Sequence, residues 1–180
     1  FGNDIGSALP GTLMTDEDIS MESQLITGLA HSRDEARLSL TNIPDRPGVA
    51  AAVFSPLAEV GINVDMIVQT ASPDSKSTDI TFSVTRGDLA RATEVLHKQQ
   101  KELGFVKLQS DPNVVKVSIV GIGMRSHAGV AATMFKALAD KGINIQVIST
   151  SEIKTSVLIG EEYTELALRA LHAAYGLDQT

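Results

Sequence analysis

The sequence predicts an α+β fold built from two βαββαβ units, and three observations predict it. One stretch is spelled twice: "GVAAAVFSPLAEVGIN", Gly48 to Asn63, returns as "GVAATMFKALADKGIN", Gly129 to Asn144. Around each copy the same order of strands and helices is legible. The second copy stops one strand short, while a strand-like segment with no place in the first copy lies near the N-terminus. Self-similarity at a shift of roughly 80 residues, present only twice, indicates a duplication rather than a solenoid.

The elements of the first copy follow in order. "EARLSLTNI", Glu35 to Ile43, alternates Ala36, Leu38 and Leu40 with polar residues, as a half-buried strand does. "DRPGV" then places Pro47 and Gly48 ahead of Val49, Val53, Leu57 and Val60, which recur at helical spacing until Gly61 stops the helix. "INVDMIVQT", Ile62 to Thr70, is rich in β-branched residues and reads as a strand. "PDSKS" is a turn, and "TDITFSVT", Thr78 to Thr85, alternates Ile80, Phe82 and Val84. A second helix is predicted from Asp88 to Leu103, closed by Gly104, and "FVKLQ" is the fourth strand. This order is that of the ferredoxin-like unit, an antiparallel sheet with helices on one face.

The second copy repeats strand ("VVKVSIVGI"), turn ("RSHAGV"), helix (Val130 to Lys141), strand ("INIQVIST"), strand ("SEIKTSVLI") and helix (Glu161 to Ala174). Only "YGLDQT" remains, too short and polar for a fourth strand, so an edge would stay open. "SQLITGLAH", Ser23 to His31, is the candidate filler. The expected organisation is therefore a linker over residues 1–22, a first unit over 35–110, and a second unit assembled from 23–32 and 113–176 around it. The linker "FGNDIGSALPGTLMTDEDIS" has no sustained period and reads as cut from a longer protein, with Met21 as an internal start.

Composition excludes several functions. The chain has 180 residues, 43% of them hydrophobic, enough for one substantial core or two small ones. It carries no apolar run long enough to span a bilayer and no secretory leader pattern, so a soluble, cytoplasmic protein is expected. Cysteine is absent, which removes disulfides and thiol chemistry. A net charge of −7 without a basic cluster opposes binding to a polyanion. His31, His97, His127 and His172 lie in unrelated contexts and form no zinc-helix pair. Phosphate-loop and nucleophile-elbow motifs are missing, and "GIGMR" lacks the third glycine of a dinucleotide fingerprint. No catalytic residue is expected.

Recognition of a small molecule fits better. Each copy joins a strand to a helix through a turn holding Gly48 or Gly129, and a helix N-terminus offers free N–H groups and partial positive charge to a carboxylate. The same Gly and Ala residues also serve close helix–sheet packing, and Asn63 and Asn144 also serve as helix-exit residues.

"DRPGVAAAVFSPLAEVGINVDMIVQ", "TDITF", "MRSHAGVAATMFKALADKGINIQVISTSEIKTSVLI" and "ALHAAYGL" together resemble the C-terminal regulatory region of bacterial aspartate kinase, a tandem of ACT domains, over residues 22–177. "MRSHAGV" and "STSEIK" carry the resemblance to that enzyme in particular. It implies a regulatory piece of an ATP-dependent aspartate kinase, whose ATP and Mg would bind in a kinase domain not matched here; no cofactor is implied in this piece. Some relatives make this region separately as a small subunit. The implied ligands are threonine and lysine, acting by feedback where ACT domains pack side by side in a homodimer. The first site implied comprises Asp45, Gly48, Val49, Ala50, Asn63, Val64, Asp65 and Gln69. The second comprises Met124, Ser126, Gly129, Val130, Ala131, Asn144, Ile145, Gln146, Ser151 and Glu152. Lysine-sensing members often carry an acid where this chain has Gln146, which leaves Glu152 as counter-charge. The competing reading is a tandem RRM-like RNA-binding module, which shares the βαββαβ order but stacks bases on strand aromatics; 4% aromatic content offers few.

Overall fold

The computed structural model describes residues 26–122, 124 and 127–177. The expected linker, Met21 and residues 23–25 of the strand-like segment lie outside these. Among the described residues six strands form: β1 (Ile26–Pro44), β2 (Asp65–Ala71), β3 (Ser77–Val84), β4 (Lys107–Gly121), β5 (Ile145–Thr150) and β6 (Lys154–Gly160). Five helices accompany them: α1 (Val49–Glu59), α2 (Leu89–Lys98), α3 (Gln100–Leu103), α4 (Ala128–Ala139) and α5 (Thr164–Ala174). Every strand pairing is antiparallel, in the order β2-β3-β1-β4-β6-β5.

That order reads as two four-stranded sheets sharing their central strands. The later part of β1 pairs with β3 and with the start of β4, for example Leu40 with Ile80 and with Leu108. The early part of β1 pairs with the end of β4, Leu29 facing Ile119, beside β6 and β5. Where the sequence suggests short separate strands, 19 residues run on as β1 and 15 as β4. "DPN" does not break β4, because the ladder passes from Arg37–Asp111 to Glu35–Val114 and steps over Pro112 and Asn113. A proline lacks the N–H that a regular ladder position must donate, and at this irregularity none is required. The Asp111 carboxylate accepts the Asn113 N–H at 2.9 Å and fixes the step.

Two cores lie on the helix-covered side. The first gathers Leu38, Leu40, Ile80 and Phe82 from strands with Val53 and Leu57 of α1 and Leu96 of α2. Phe54 meets Phe82 edge to face, 5.1 Å between ring centres. The second core repeats the scheme with Val117, Ile119, Val157 and Ile159 under Met134 and Leu138 of α4 and Leu171 of α5. Val49, Val53 and Leu57 in α1 match Val130, Met134 and Leu138 in α4, a buried stripe at four-residue spacing, so the duplicated helix is duplicated for its core face.

Two predicted helices are more finely divided than expected. Asp88 to Leu103 opens with a 3-10 turn, Arg86–Asp88, and breaks at Gln99, whose N–H turns to the Leu96 carbonyl. Glu161 to Ala174 likewise opens with a 3-10 turn, Glu161–Tyr163, before α5. On the helix-free side the sheet curls until Met66 and Val68 of β2 pack on Val147 of β5 and Leu158 of β6. The two edge strands thereby meet through side chains.

Candidate functional site

At the first repeat the chain leaves β1, turns through residues 45–48 and enters α1. Gly48 sits there at φ +89, a left-handed conformation that strains any residue with a Cβ. No side chain caps α1 and no acid stands in its first turn; the Val49 N–H donates to the Arg46 carbonyl at 3.2 Å, and the N–H groups of Ala50 and Ala51 are the ones left for an anion. An open cleft of about 460 Å³ lies at this end, lined by Asp45, Arg46, Pro47, Gly48, Val49, Ala50 and Gln69. Five of the residues implied for the first site line one space: Asp45, Gly48, Val49, Ala50 and Gln69. Arg46 and Pro47 join them. Asn63, Val64 and Asp65 do not line it; Val64 packs on the first core instead.

Asp65 has another engagement. Its Oδ2 accepts from Lys116 Nζ at 2.7 Å, its Oδ1 accepts the Met66 N–H at 2.8 Å, and the same Lys116 ammonium lies 2.9 Å from Glu35 Oε1. The hydrogen bond from Lys116 holds the Asp65 carboxyl below its usual range despite partial burial, with help from the Met66 N–H. For Lys116, burial acts downward but the Asp65 and Glu35 carboxylates outweigh it, and its pKa is raised. No motif announces this cluster, because its three members come from β1, β2 and β4.

The second repeat is built differently at the same place. α4 starts at Ala128 with His127 as its N-cap, so Gly129 lies inside the helix rather than in a left-handed turn. Val130 is buried, and its carbonyl accepts from Tyr175 Oη at 2.5 Å. Met124 is buried too, its N–H donating to the Glu152 carbonyl at 3.0 Å, which ties the loop before α4 to the β5–β6 turn. Ser151 closes that turn, its N–H donating to the Lys154 carbonyl at 2.7 Å. Ala131 and Ile145 are half-buried, Asn144 and Glu152 exposed. Gln146 Oε1 is buried without a hydrogen-bond partner. Ser126 and Arg125 lie outside the described residues.

The helix-free strand face does not suit the stacking of nucleobases. It is folded on itself through Met66, Val68, Val147 and Leu158, and Phe82 points to the opposite, helix-covered core. Among the described residues no helix is long and apolar enough to cross a membrane.

Comparison with known proteins agrees with this geometry. The ACT domain family matches residues 41–100 and 117–175. The aspartate kinase of Pseudomonas fluorescens (strain SBW25) is 54% identical over 170 residues, covering 94% of this chain and 41% of that protein. The chain thus spans about two fifths of the length of such relatives. The ligand-free regulatory subunit of aspartate kinase from Thermus thermophilus is 45% identical, with a TM-score of 0.78 over 83% of this chain and 98% of that one. Aspartate kinase from Synechocystis is 40% identical, with a TM-score of 0.80 over 87% of this chain and 28% of that one. Matching a regulatory subunit almost end to end, and the kinases only in part, the chain belongs to the ACT domain family and, within it, to the regulatory regions of aspartate kinases.

Proposed function

We propose that this chain senses threonine, lysine or both, and conveys feedback inhibition to the kinase domain of an aspartate kinase, where ATP, Mg and aspartate would bind. The observation that carries the reading is the cleft at the uncapped start of α1. Backbone N–H groups of Gly48 and Ala50 would take the amino acid's carboxylate, and Asp45 and the Gln69 amide its ammonium. Asn63, Val64 and Asp65 would act from the neighbouring β2 end, completed by a second chain. The second site, from Met124 and Ser126 through Gly129, Val130 and Ala131 to Asn144, Ile145, Gln146, Ser151 and Glu152, would serve lysine through the Glu152 carboxylate.

The chain divides, on this reading, into a first ACT domain over 35–110 and a second over 23–32 with 113–176. The two halves of β1 support that division, since each pairs with a different end of β4. A homodimer would cover the edge strands, where Ile67 of β2 and Ile148 of β5, at matching repeat positions, are 50% and 43% exposed. The cytoplasm is the natural place for such a sensor.

Calorimetric titration with threonine and lysine, separately and then together, tests the proposal. Micromolar to millimolar affinity, roughly −4 to −8 kcal/mol, is expected. Absence of heat together with unchanged melting temperature and dimer state under both amino acids overturns it.

A further inference from the structure

Lys116 holds two carboxylates of unequal standing. Its ammonium lies 2.9 Å from Glu35 Oε1 and 2.7 Å from Asp65 Oδ2, while the Glu35 side chain is 9% exposed and that of Asp65 57%. Burial makes the first contact hard to give up, because a carboxylate shut away from water depends on its cation. The second is easily exchanged, since water or another cation reaches Asp65 directly. Lys154 also acts on Asp65, through its charge alone.

The fold does not demand the exchangeable contact. Each half of the sheet carries one hydroxyl pair across ladder partners, Ser39 Oγ with Thr81 Oγ1 at 2.9 Å and Ser118 Oγ with Ser156 Oγ at 2.7 Å. Two residues before the first serine stands Arg37, and two before the second stands Lys116. The repeat offset that carries Met66 to Val147, its packing partner, also carries Asp65 to Gln146. The other half thus has an arginine and a neutral amide at the positions that correspond to Lys116 and Asp65. No ion pair can form between those two, yet that half of the sheet is built in the same way.

We infer, resting on the sensor reading above, that Lys116 is a built-in competitor at the first site: its ammonium occupies on Asp65 the place that a primary ammonium of the effector takes on binding. Of the residues proposed for that site, Asp45 and Asp65 are the charged ones, and both are anions suited to a cationic group. Displaced from Asp65, Lys116 retains Glu35 and is not stranded. Occupancy at the β2 end is thereby felt in β4, which pairs with both β1 and β6. The handicap on the effector is about fivefold at most, because an exposed pair is weak and affinity falls only by the fraction of chains in which Asp65 is already taken.

Calorimetric titration of the full chain with threonine and with lysine tests the competition. Lys116→Met should tighten binding of at least one of them by about threefold. Tightening of lysine alone identifies its side-chain ammonium as the competing group, and tightening of both identifies the α-ammonium. Lys154→Met, which removes a charge but no hydrogen bond, should do less. With Asp65→Asn in place neither ammonium has that carboxylate, so adding Lys116→Met should leave affinity nearly unchanged. If neither amino acid binds the unaltered chain, the sensor reading fails and the competitor with it. If one binds and Lys116→Met leaves its affinity unchanged or weakens it, or tightens it equally in the Asp65→Asn background, the sensor reading stands and the competitor is overturned. Should Lys116→Met prevent folding, Glu35→Gln is added to every chain, which removes the buried carboxylate left without its cation, and the same criteria apply.

Discussion

Replacing Lys116 by Met is the most informative single perturbation of the Glu35–Lys116–Asp65 cluster. Methionine keeps most of the length and apolar stem of lysine and deletes its charge. Two carboxylates lose their partner, with unequal consequences. Asp65, 57% exposed, is rehydrated easily, so its loss contributes less than about 1 kcal/mol. Glu35, 9% exposed, is left as a carboxylate without its cation, and breaking one side of a buried pair costs about 3 kcal/mol or more. A partly relieved total of about 3 kcal/mol lowers the melting temperature of a chain this size by roughly 10 °C. Urea denaturation at neutral pH and low salt measures it. The control is Glu35→Gln in the Lys116→Met background: once the uncompensated charge is gone, most of the loss should return. If Lys116→Met costs under about 0.5 kcal/mol, or if adding Glu35→Gln deepens the loss, the Glu35 charge is not what Lys116 stabilises.

The same cluster sets a pH window. The lowered Asp65 pKa means that its contribution is present above the ordinary value of 3.8 and is lost as pH falls through the lowered one; the raised Lys116 pKa means a contribution present below 10.5 and lost as pH rises beyond it. The stability difference between the unaltered chain and Asp65→Asn should therefore be constant from about pH 5 to 9 and vanish in strong acid. A difference unchanged down to pH 2 would contradict this. In the second repeat, Tyr175→Phe deletes the hydroxyl donating to the Val130 carbonyl at 2.5 Å, in a residue only 3% exposed. A loss of about 1 kcal/mol and faster hydrogen exchange at the start of α4 are expected; unchanged exchange there would show that the bond does not anchor the helix.

Much of the fold is legible because periodicity and glycine punctuation act locally. Val49, Val53 and Leu57 announce α1, and Gly61 and Gly104 both adopt the positive φ that ends a helix. The run of β1 through both halves is not legible in the same way. "HSRDE" carries no apolar alternation, and its strand state is imposed by pairing with a segment some 80 residues away. Tertiary context overrides local preference there. The first cleft was legible through "DRPGVA", whose Gly48 must bend left-handed, while the kinship of "HAGVA" concealed a helix that begins two positions earlier. The charge cluster on Lys116 left no local trace, because Glu35 of β1, Asp65 of β2 and Lys116 of β4 meet only once the sheet has formed.

The shared strand also dictates an order of events on the ribosome. Thr27 and Val120, joined by a hydrogen bond at 3.2 Å, are 93 residues apart. Translation at about 5–20 residues per second separates their emergence by about 5–20 seconds. The later half of β1 finds β3 well before that, so the first repeat can gather its sheet while the early half of β1 hangs as an unpaired ribbon. A nascent chain arrested between Leu103 and Val114 should therefore expose Ile26 and Leu29 to chaperones or to a neighbouring polysome's ribbon. Synthesis of β4 is the step that retires this hazard, making the pace of translation through residues 107–121 a determinant of yield.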